Sequence, residues 1–222
     1  MKLTNKIVSF LGDSITEGVG VYNIELYRFD NLIKQRCGCK RVNNYGISGT
    51  RIAHKIQPTE KARHDMNFCG RCFDMDKESD VIIVFGGVND YLHGDAHLGK
   101  PGDKGRDTFC GSVDYLTRTI REEYPNATLV FFTPAHCYCD DGYSQMKPEG
   151  LIREEHLLSE FREAIIKIAP NNGFYVFDMA KELGIDPKLP EDREKYTVDG
   201  LHFNDVGNSV IADVMIKCIE TI

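Results

Sequence analysis

A serine, an aspartate and a histidine occur in two short segments near opposite ends of the chain. Ser14 stands in the run Gly12-Asp13-Ser14, and Asp199 precedes His202 by three residues. A serine hydroxyl is a poor nucleophile until a base takes its proton, and a histidine held by a carboxylate is the usual base. A spacing of three lets the side chains of Asp199 and His202 meet on one face of a turn. These residue types indicate acyl-transfer chemistry.

Such chemistry also needs two or three hydrogen-bond donors for the oxyanion of the tetrahedral intermediate. Backbone N–H groups at Ser14 and Gly46 could supply two of them, since a glycine allows a substrate to approach the backbone closely. The side-chain amide of Asn89, in Gly87-Val88-Asn89-Asp90, could supply a third. The oxyanion-hole prediction is therefore Ser14, Gly46 and Asn89.

Each of these residues has an ordinary structural interpretation when it is taken alone. Ser14 could cap a helix, and Gly46, Asn89 and Asp199 could be turn residues. Their order along the chain and their place after predicted strands favour the functional interpretation.

Five short apolar runs predict the strands that position these residues. They are 7–11, 41–45, 81–85, 128–132 and 174–177. Longer periodic segments predict helices over 24–36, around 113–120, over 151–169 with Leu151, Leu158, Phe161, Ile165 and Ile168 on one face, and over 204–222 with Val206, Val210, Val214 and Cys218 facing the core. Strands that alternate with helices predict an α/β fold with a parallel sheet covered on both faces. Ligands of such sheets bind at the carboxyl ends of the strands. The candidate residues Ser14, Gly46 and Asn89 come shortly after predicted strands, so they are expected at that edge.

The segments Gly12-Asp13-Ser14, Gly46, Gly87-Val88-Asn89-Asp90 and Asp199-Gly200-Leu201-His202 resemble four sequence blocks of the SGNH hydrolases, the GDSL-type esterases and lipases. The resemblance covers essentially the whole chain. It implies a flavodoxin-like three-layer α/β/α sandwich with strand order 2-1-3-4-5. It also implies that Ser14 is the nucleophile, His202 the base and Asp199 its orienting partner. No Gly-x-Ser-x-Gly run is present, so the α/β-hydrolase elbow is not the scaffold.

Two long insertions, 91–107 and 135–150, follow the third and fourth predicted strands and are candidate walls of a substrate pocket. Asp13, Tyr91 and His136 are predicted substrate contacts. His54, His64 and His156 are interpreted as solvated surface groups, whereas His93 and His97 follow the Asn89 segment and could lie near the crevice. The insertions are polar, charged and aromatic, which favours a small acyl group on a polar carrier such as a sugar. A metal cluster of His93, Asp95 and His97 is conceivable, although solvation of a loop explains the same residues.

Eight cysteines are present: Cys37, Cys39, Cys69, Cys72, Cys110, Cys137, Cys139 and Cys218. The Cys69-x-x-Cys72 spacing suits zinc or a redox pair, but it is half of a zinc site and falls in a polar, irregular stretch. We interpret the cysteines mainly as reduced thiols, and whether they pair, bind zinc or stay free is left open.

The chain of 222 residues is long enough for one domain, 1–222, with a sizeable core. Its net charge of −7 argues against nucleic acid as the main partner. No apolar run reaches the length of a membrane span, and the first ten residues lack the features of a signal peptide, so we expect no membrane partner and a cytoplasmic location. The proposed chemistry needs no metal and no cofactor.

The leading hypothesis is a serine esterase for short-chain carboxylic esters, with O-acetyl groups on a carbohydrate or other polar carrier as the expected small-molecule substrate. A lysophospholipase or an acyl-thioesterase of the same family is the alternative. A non-catalytic carbohydrate- or metal-binding α/β domain is a remote one. Oligomeric state cannot be derived from the residues.

Overall fold

A computed structural model of the chain describes residues 1–140 and 156–222. Five strands form one parallel sheet in the order β2-β1-β3-β4-β5, which confirms the predicted α/β class and strand order. The strands are β1 (Ile7–Gly12), β2 (Arg41–Gly46), β3 (Val81–Phe85), β4 (Thr128–Phe132) and β5 (Tyr175–Phe177). Every residue of β1 and β3 is buried, as expected for central strands covered on both faces.

Helices cover both faces of this sheet. In the described part of the chain they are α1 (Ser14–Glu17), α2 (Ile24–Tyr27), α3 (Phe29–Cys37), α4 (Phe68–Arg71), α5 (Val88–His93), α6 (Phe109–Glu123), α7 (Leu158–Ile168), α8 (Met179–Glu182), α9 (Pro190–Tyr196) and α10 (Asp205–Glu220). Short 3₁₀ turns occur at Ala62–Asp65, Cys72–Asp74 and Ala169–Asn172.

Two apolar clusters, one on each face, make this a three-layer sandwich. Neighbouring residues of one strand alternate between them, so that Ile82 packs with α6 and α7 while Ile83 packs with α3 and α10. The sheet is therefore held rigidly from both sides, and its carboxyl edge provides a fixed base for the loops that follow each strand.

The helix predicted over 24–36 is two helices. Arg28 is extended between α2 and α3 (ψ 135°), and its guanidinium pairs with Asp30 at 2.6 Å. Asn23 caps α2 through its side-chain oxygen. The break turns α2 outward, which leaves Leu26 exposed while Phe29 and Ile33 enter the core.

The predicted core face of the last helix is correct only in part, because Cys218 is buried and Val210 and Val214 pack partly buried against the core, whereas Val206 does not. The residues of α10 that are buried are Gly207, Asn208, Ile211, Ala212, Met215, Cys218 and Ile219. Val206 is half exposed because it lies in the first turn, beside a surface depression rather than the sheet. Helix α7 begins at Leu158, and the predicted helical residues 151–155 lie outside the described residues.

Across the two described ranges, we find no helix long and apolar enough to cross a bilayer.

Candidate active site

Ser14 lies at the carboxyl edge of β1. The strand ends at Gly12, and α1 begins only two residues later at Ser14. Asp13 caps this short helix, since its Oδ1 accepts a hydrogen bond from the Ile15 N–H at 3.0 Å. A side chain at Gly12 would overlap Thr16, so the tight passage from strand to helix requires a glycine there. The Ser14 N–H is in the first turn of α1, where amides have no acceptor within the helix.

Asp199 and His202 lie in a tight loop that precedes α10. Thr197 and Phe203 form an antiparallel bridge that closes the loop. Within it, Asp199 Oδ1 accepts hydrogen bonds from the N–H groups of Leu201 at 2.9 Å and His202 at 2.7 Å. This carboxylate therefore fixes the backbone that carries the histidine as well as its ring.

The structure brings Ser14, His202 and Asp199 into one hydrogen-bonded chain. His202 Nδ1 lies 2.6 Å from Asp199 Oδ2, and His202 Nε2 lies 2.9 Å from Ser14 Oγ. Because the carboxylate accepts the proton on Nδ1, Nε2 of the neutral ring is left to accept the Ser14 hydroxyl. Partial burial alone would raise the pKa of Asp199, but the hydrogen bonds from the His202 and Leu201 groups lower that pKa below its ordinary value.

The Asn89 side chain is at the start of α5, directly after β3. Its Nδ2 donates to the Thr50 carbonyl at 3.0 Å, which leaves the second N–H of the amide for another acceptor. Asn89 is 4% exposed, so an acceptor there would be shielded from water.

The structure gives Gly46 a role other than the predicted one. Its N–H already donates to Asn44 Oδ1 at 2.9 Å, so it is not available to an oxyanion in this conformation. A Cβ at Gly46 would overlap the backbone of Thr16 and Glu17. Gly46 is therefore a packing residue that lets α1 lie against the end of β2.

Gly49 lies three residues further on, after the end of β2. It lies in a turn closed by the Thr50 N–H on the Ile47 carbonyl at 3.3 Å, with a positive φ of 71° that favours glycine. Ile47 in turn donates to the Gly12 carbonyl at 3.2 Å, which ties the turn to the strand before Ser14. Among the residues that the structure describes, the Gly49 N–H has no hydrogen-bond acceptor.

Two of the three predicted substrate contacts have other roles. Asp13 is 1% exposed, and burial raises its pKa to about 6. Tyr91 is also buried; its ring packs edge-on against Phe161 and its hydroxyl donates to the Cys139 carbonyl at 2.8 Å. Both side chains support the loops around the site and present no polar group at a crevice.

The third, His136, follows β4 and is 30% exposed at its side chain. Its Nδ1 contacts Asp140 Oδ2, and Arg162 from α7 donates to both oxygens of the same carboxylate at 2.9 Å. Arg162 also donates to the carbonyls of Pro134 and Ala135, which fixes the chain on which His136 stands. In the described part of the chain, His136 Nε2 has no partner.

The segment after β4 touches the loop that carries His202. The Tyr138 N–H donates to the Gly200 carbonyl at 2.9 Å, and the Tyr138 ring packs over Gly200. The remainder of the predicted 135–150 insertion, residues 141–150, lies outside the described residues.

Arg71 is a buried cation that the sequence did not single out. Its guanidinium donates to the carbonyls of Gly12 at 2.6 Å and Tyr45, and to Thr50 Oγ1 at 3.0 Å. Its Nε donates to the Met66 carbonyl at 2.9 Å. Burial lowers its pKa to about 10. Arg71 thus joins the ends of β1 and β2 beneath the site.

Asp90 fixes the segment that follows the Gly49 turn. Its two carboxylate oxygens accept the N–H groups of Ile52 and Ala53, each at 2.9 Å. Complete burial raises the pKa of Asp90 to about 7.

The cysteines are free thiols in this structure. Cys69 and Cys72 are buried in the apolar cluster under α6, not in a polar stretch as predicted, and burial raises both pKa values, that of Cys72 to about 12. Asp95 accepts the N–H groups of Ile56 and Gln57. Within residues 1–140 and 156–222, no group of three or more His, Cys, Asp or Glu side chains is arranged to hold a metal ion.

The fold and these four segments define the class of protein. The model of the GDSL-like lipase/acylhydrolase family matches residues 10–210. The chain belongs to this family and is an esterase- or lipase-type hydrolase.

Solved structures share this fold. One that is 30% identical covers 100% of this chain and 99% of its own, with a TM-score of 0.84. A Lactobacillus plantarum protein is 26% identical over 98% of both chains, with a TM-score of 0.80. A lipase/acylhydrolase from Enterococcus faecalis shares the fold at 18% identity, covering 97% of this chain and 96% of its own, with a TM-score of 0.63. No curated protein matches the chain.

Proposed function

We propose that the protein is a serine esterase that hydrolyses short-chain carboxylic esters through an acyl-enzyme on Ser14. The favoured substrates are O-acetyl groups on a carbohydrate or another polar carrier. The observation that carries the proposal is the chain of two hydrogen bonds from Asp199 through His202 to the Ser14 hydroxyl.

In the first half of the reaction, His202 Nε2 takes the proton of the Ser14 hydroxyl as Oγ attacks the ester carbonyl carbon. The carbonyl π bond opens and its oxygen carries the negative charge. The intermediate collapses when the bond to the leaving oxygen breaks and that oxygen receives the proton from His202. The ionised Asp199 stabilises the imidazolium while it exists.

In the second half, water replaces the alcohol. His202 takes a proton from the water, whose oxygen attacks the acyl carbon of the ester on Ser14. Breakdown of the second intermediate returns the proton to Ser14 Oγ and releases the carboxylic acid.

Three donors are proposed for the oxyanion: the N–H of Ser14, the N–H of Gly49 and the free N–H of Asn89 Nδ2. Gly49 takes the place first expected for Gly46. Two observations support this choice. The Gly46 N–H already donates to Asn44, and the turn that contains Gly49 is hydrogen-bonded to Gly12 at one end and, at Thr50, to Asn89. A crystal structure with a phosphonate on Ser14 tests it, since the phosphoryl oxygen should lie about 2.7–3.1 Å from the Gly49 nitrogen. A contact with the Gly46 nitrogen instead would reject the choice.

His136 is proposed as a substrate contact. Asp140 holds its Nδ1, which orients a ring whose side chain is 30% exposed, and Tyr138, two residues further on, contacts the loop that carries His202. A polar alcohol such as a sugar could accept or donate a hydrogen bond there, which supports the polar-carrier assignment.

A second candidate function, a lysophospholipase or acyl-thioesterase, is favoured by one observation. A shallow depression of about 610 Å³ with apolar walls lies next to the catalytic loop, lined by Gly20, Val21, Tyr22, Val198, Asn204, Asp205 and Val206. A side chain at Gly20 would lie 3.4 Å from the Cβ of His202, so a longer acyl chain could extend along this surface.

Hydrolysis of p-nitrophenyl esters from acetyl to palmitoyl tests both candidates, with wild type compared with Ser14→Ala. We expect turnover confined to short chains and lost in Ser14→Ala, because that variant has no nucleophile. Ser209→Ala is the matched control, since it removes a serine hydroxyl that bonds Arg36 on the surface. A maximum at long chains would favour the second candidate.

Retained turnover in Ser14→Ala would reject the acyl-enzyme. Absence of turnover in wild type at every chain length, and with acetylated sugars, would favour a non-catalytic carbohydrate-binding domain.

A further inference from the structure

The Asn89 side chain is held at both ends. Nδ2 donates to the Thr50 carbonyl at 3.0 Å, and Oδ1 lies 3.0 Å from His93 Nε2, one helical turn further along α5. The Thr50 carbonyl can only accept, which identifies the end of the amide that faces it as the NH₂ group. The oxygen of Asn89 therefore faces His93.

The proton on the His93 ring is placed by Arg51. Arg51 Nη1 lies 3.2 Å from His93 Nδ1, and a guanidinium can only donate. Nδ1 must therefore accept, which leaves the proton of the neutral ring on Nε2. That N–H donates to Asn89 Oδ1.

Arg51 is itself immobilised. Its side chain is 1% exposed and forms an ion pair with Asp65 at 3.0 Å. The same guanidinium donates to the carbonyls of His64 at 3.0 Å and Gly49 at 3.3 Å. The contact with Gly49 matters because Gly49 is the second proposed oxyanion donor.

We infer that His93 is a positioning residue of the oxyanion hole, linking Arg51 to Asn89. The inference rests on the proposed function. With the amide oxygen held by His93 and one N–H held by Thr50, the second N–H has a fixed direction before substrate binds. Donation to the amide oxygen also polarises the amide, which makes its remaining N–H a stronger donor.

A purely structural role for His93 makes a different prediction. It would stabilise α5 and the loop around Arg51 without affecting how the tetrahedral intermediate is held. The two interpretations separate in a double-mutant cycle, because a residue that acts through Asn89 has no effect once the Asn89 amide is gone.

The experiment compares His93→Phe and His93→Gln in wild type and in Asn89→Ala, with kcat and KM measured on p-nitrophenyl acetate and melting temperatures measured in parallel. Asn89→Ala should lower kcat by about 10²–10³-fold. His93→Phe should lower kcat by about 10-fold, the effect of one lost hydrogen bond, with KM within about 2-fold. In the Asn89→Ala background it should change kcat by less than about 2-fold. His93→Gln, which keeps a donor for Asn89, should recover most of the loss.

Equal losses from His93→Phe in both backgrounds, or no loss in wild type, would overturn the inference. A large effect of Ser14→Ala together with no effect of Asn89→Ala would overturn the oxyanion role of Asn89, and this inference with it, while the serine mechanism stands. Turnover that survives Ser14→Ala would instead reject the proposed function.

A second measurement does not depend on activity or on the stability of a variant. Nitrogen NMR of the ¹⁵N-histidine-labelled wild-type protein should show His93 protonated on Nε2 and unprotonated on Nδ1. The opposite tautomer, or a doubly protonated ring at neutral pH, would contradict the chain of donors from Arg51 to Asn89.

Discussion

Two histidine–aspartate pairs lie at the same edge of the sheet and share their local geometry. In each, the ring Nδ1 contacts Oδ2 of a nearby aspartate: His202 contacts Asp199, three residues earlier, and His136 contacts Asp140, four residues later. Their surroundings differ. The Asp199 side chain is 48% exposed, whereas that of Asp140 is 3% exposed and paired with the buried Arg162.

This difference assigns different tasks to the two pairs. The charge of Asp199 is available to stabilise an imidazolium, and the outer nitrogen of His202 meets a hydroxyl. The charge of Asp140 is already balanced by the buried Arg162, whose guanidinium lies 2.9 Å from Asp140 Oδ2. On the proposed mechanism, a carboxylate beside a histidine is insufficient for a general base. The His202 ring also faces the Ser14 hydroxyl, and the structure pairs Asp199 with no arginine or lysine among the described residues.

The largest expected effect compares His202→Ala with His136→Ala. Removal of His202 should lower kcat by about 10⁴-fold, because Ser14 then lacks its base. Removal of His136 should change kcat by at most about 10-fold and act mainly on KM for polar esters, because its proposed role is to contact substrate without moving a proton. Steady-state kinetics on p-nitrophenyl acetate and an acetylated sugar would measure both. Comparable losses of kcat in the two variants would mean that His136 also transfers a proton.

The two aspartates provide the next contrast. Asp199→Asn should lower kcat by about 10³–10⁴-fold with a change in unfolding free energy below about 1 kcal/mol, because its carboxylate is half exposed. Asp140→Asn should do the reverse. It leaves the Arg162 charge buried without a full counter-charge, which costs about 3–5 kcal/mol of stability, while kcat stays within about 10-fold.

Urea unfolding and kinetics on the same two preparations measure this contrast. The substitutions are isosteric and each removes one negative charge, so either variant controls for the other. A stability loss in Asp199→Asn as large as that in Asp140→Asn would remove the distinction between a chemical and a structural pair.

The sequence was sufficient to predict what depends on local pattern. The apolar runs located the five strands, and the segments after them located Ser14, Asn89, Asp199 and His202 at one edge of the sheet. These predictions succeeded because strand ends and turn residues are encoded by neighbouring residues.

The residues that hold the site could not be found in this way. Three buried arginines contact groups that only folding brings near them: Arg51, Arg71 and Arg162. Arg162, for example, contacts Asp140, which is 22 positions away in sequence. A lone arginine gives no signal of burial in the sequence, since most arginines lie on the surface. The choice between Gly46 and Gly49 likewise depends on which amide the turn after β2 leaves without an acceptor.

The smallest expected effect is on the pH dependence of stability. It concerns two carboxylates, that of Asp13 next to Ser14 and that of Asp199 next to His202. Burial raises the pKa of Asp13 from 3.8 to about 6, so the folded protein holds this proton more tightly than the unfolded chain does. Ionisation of Asp13 therefore destabilises the fold, and this penalty grows as the pH rises from about 4 to about 6. The pKa of Asp199 is lowered, so its ionisation has the opposite effect on stability. The ionised carboxylate stabilises the fold above about pH 4, and this contribution is lost in acid.

Asp13→Asn keeps an oxygen to cap Ile15 but removes the titration. Relative to wild type, its unfolding free energy should rise by up to about 3 kcal/mol between pH 4 and pH 7, from a pKa difference of about 2.2. Asp199→Asn should show the reverse trend at lower pH: it should lose stability relative to wild type as the pH rises toward about 4, and the difference should stay level between pH 4 and pH 7. Urea unfolding at several pH values would measure both. If the unfolding free energies of the two variants changed with pH in parallel, the environments of Asp13 and Asp199 would not differ as their burial indicates. Solvent exposure would then not explain why the Asp199 carboxylate behaves differently from a buried one.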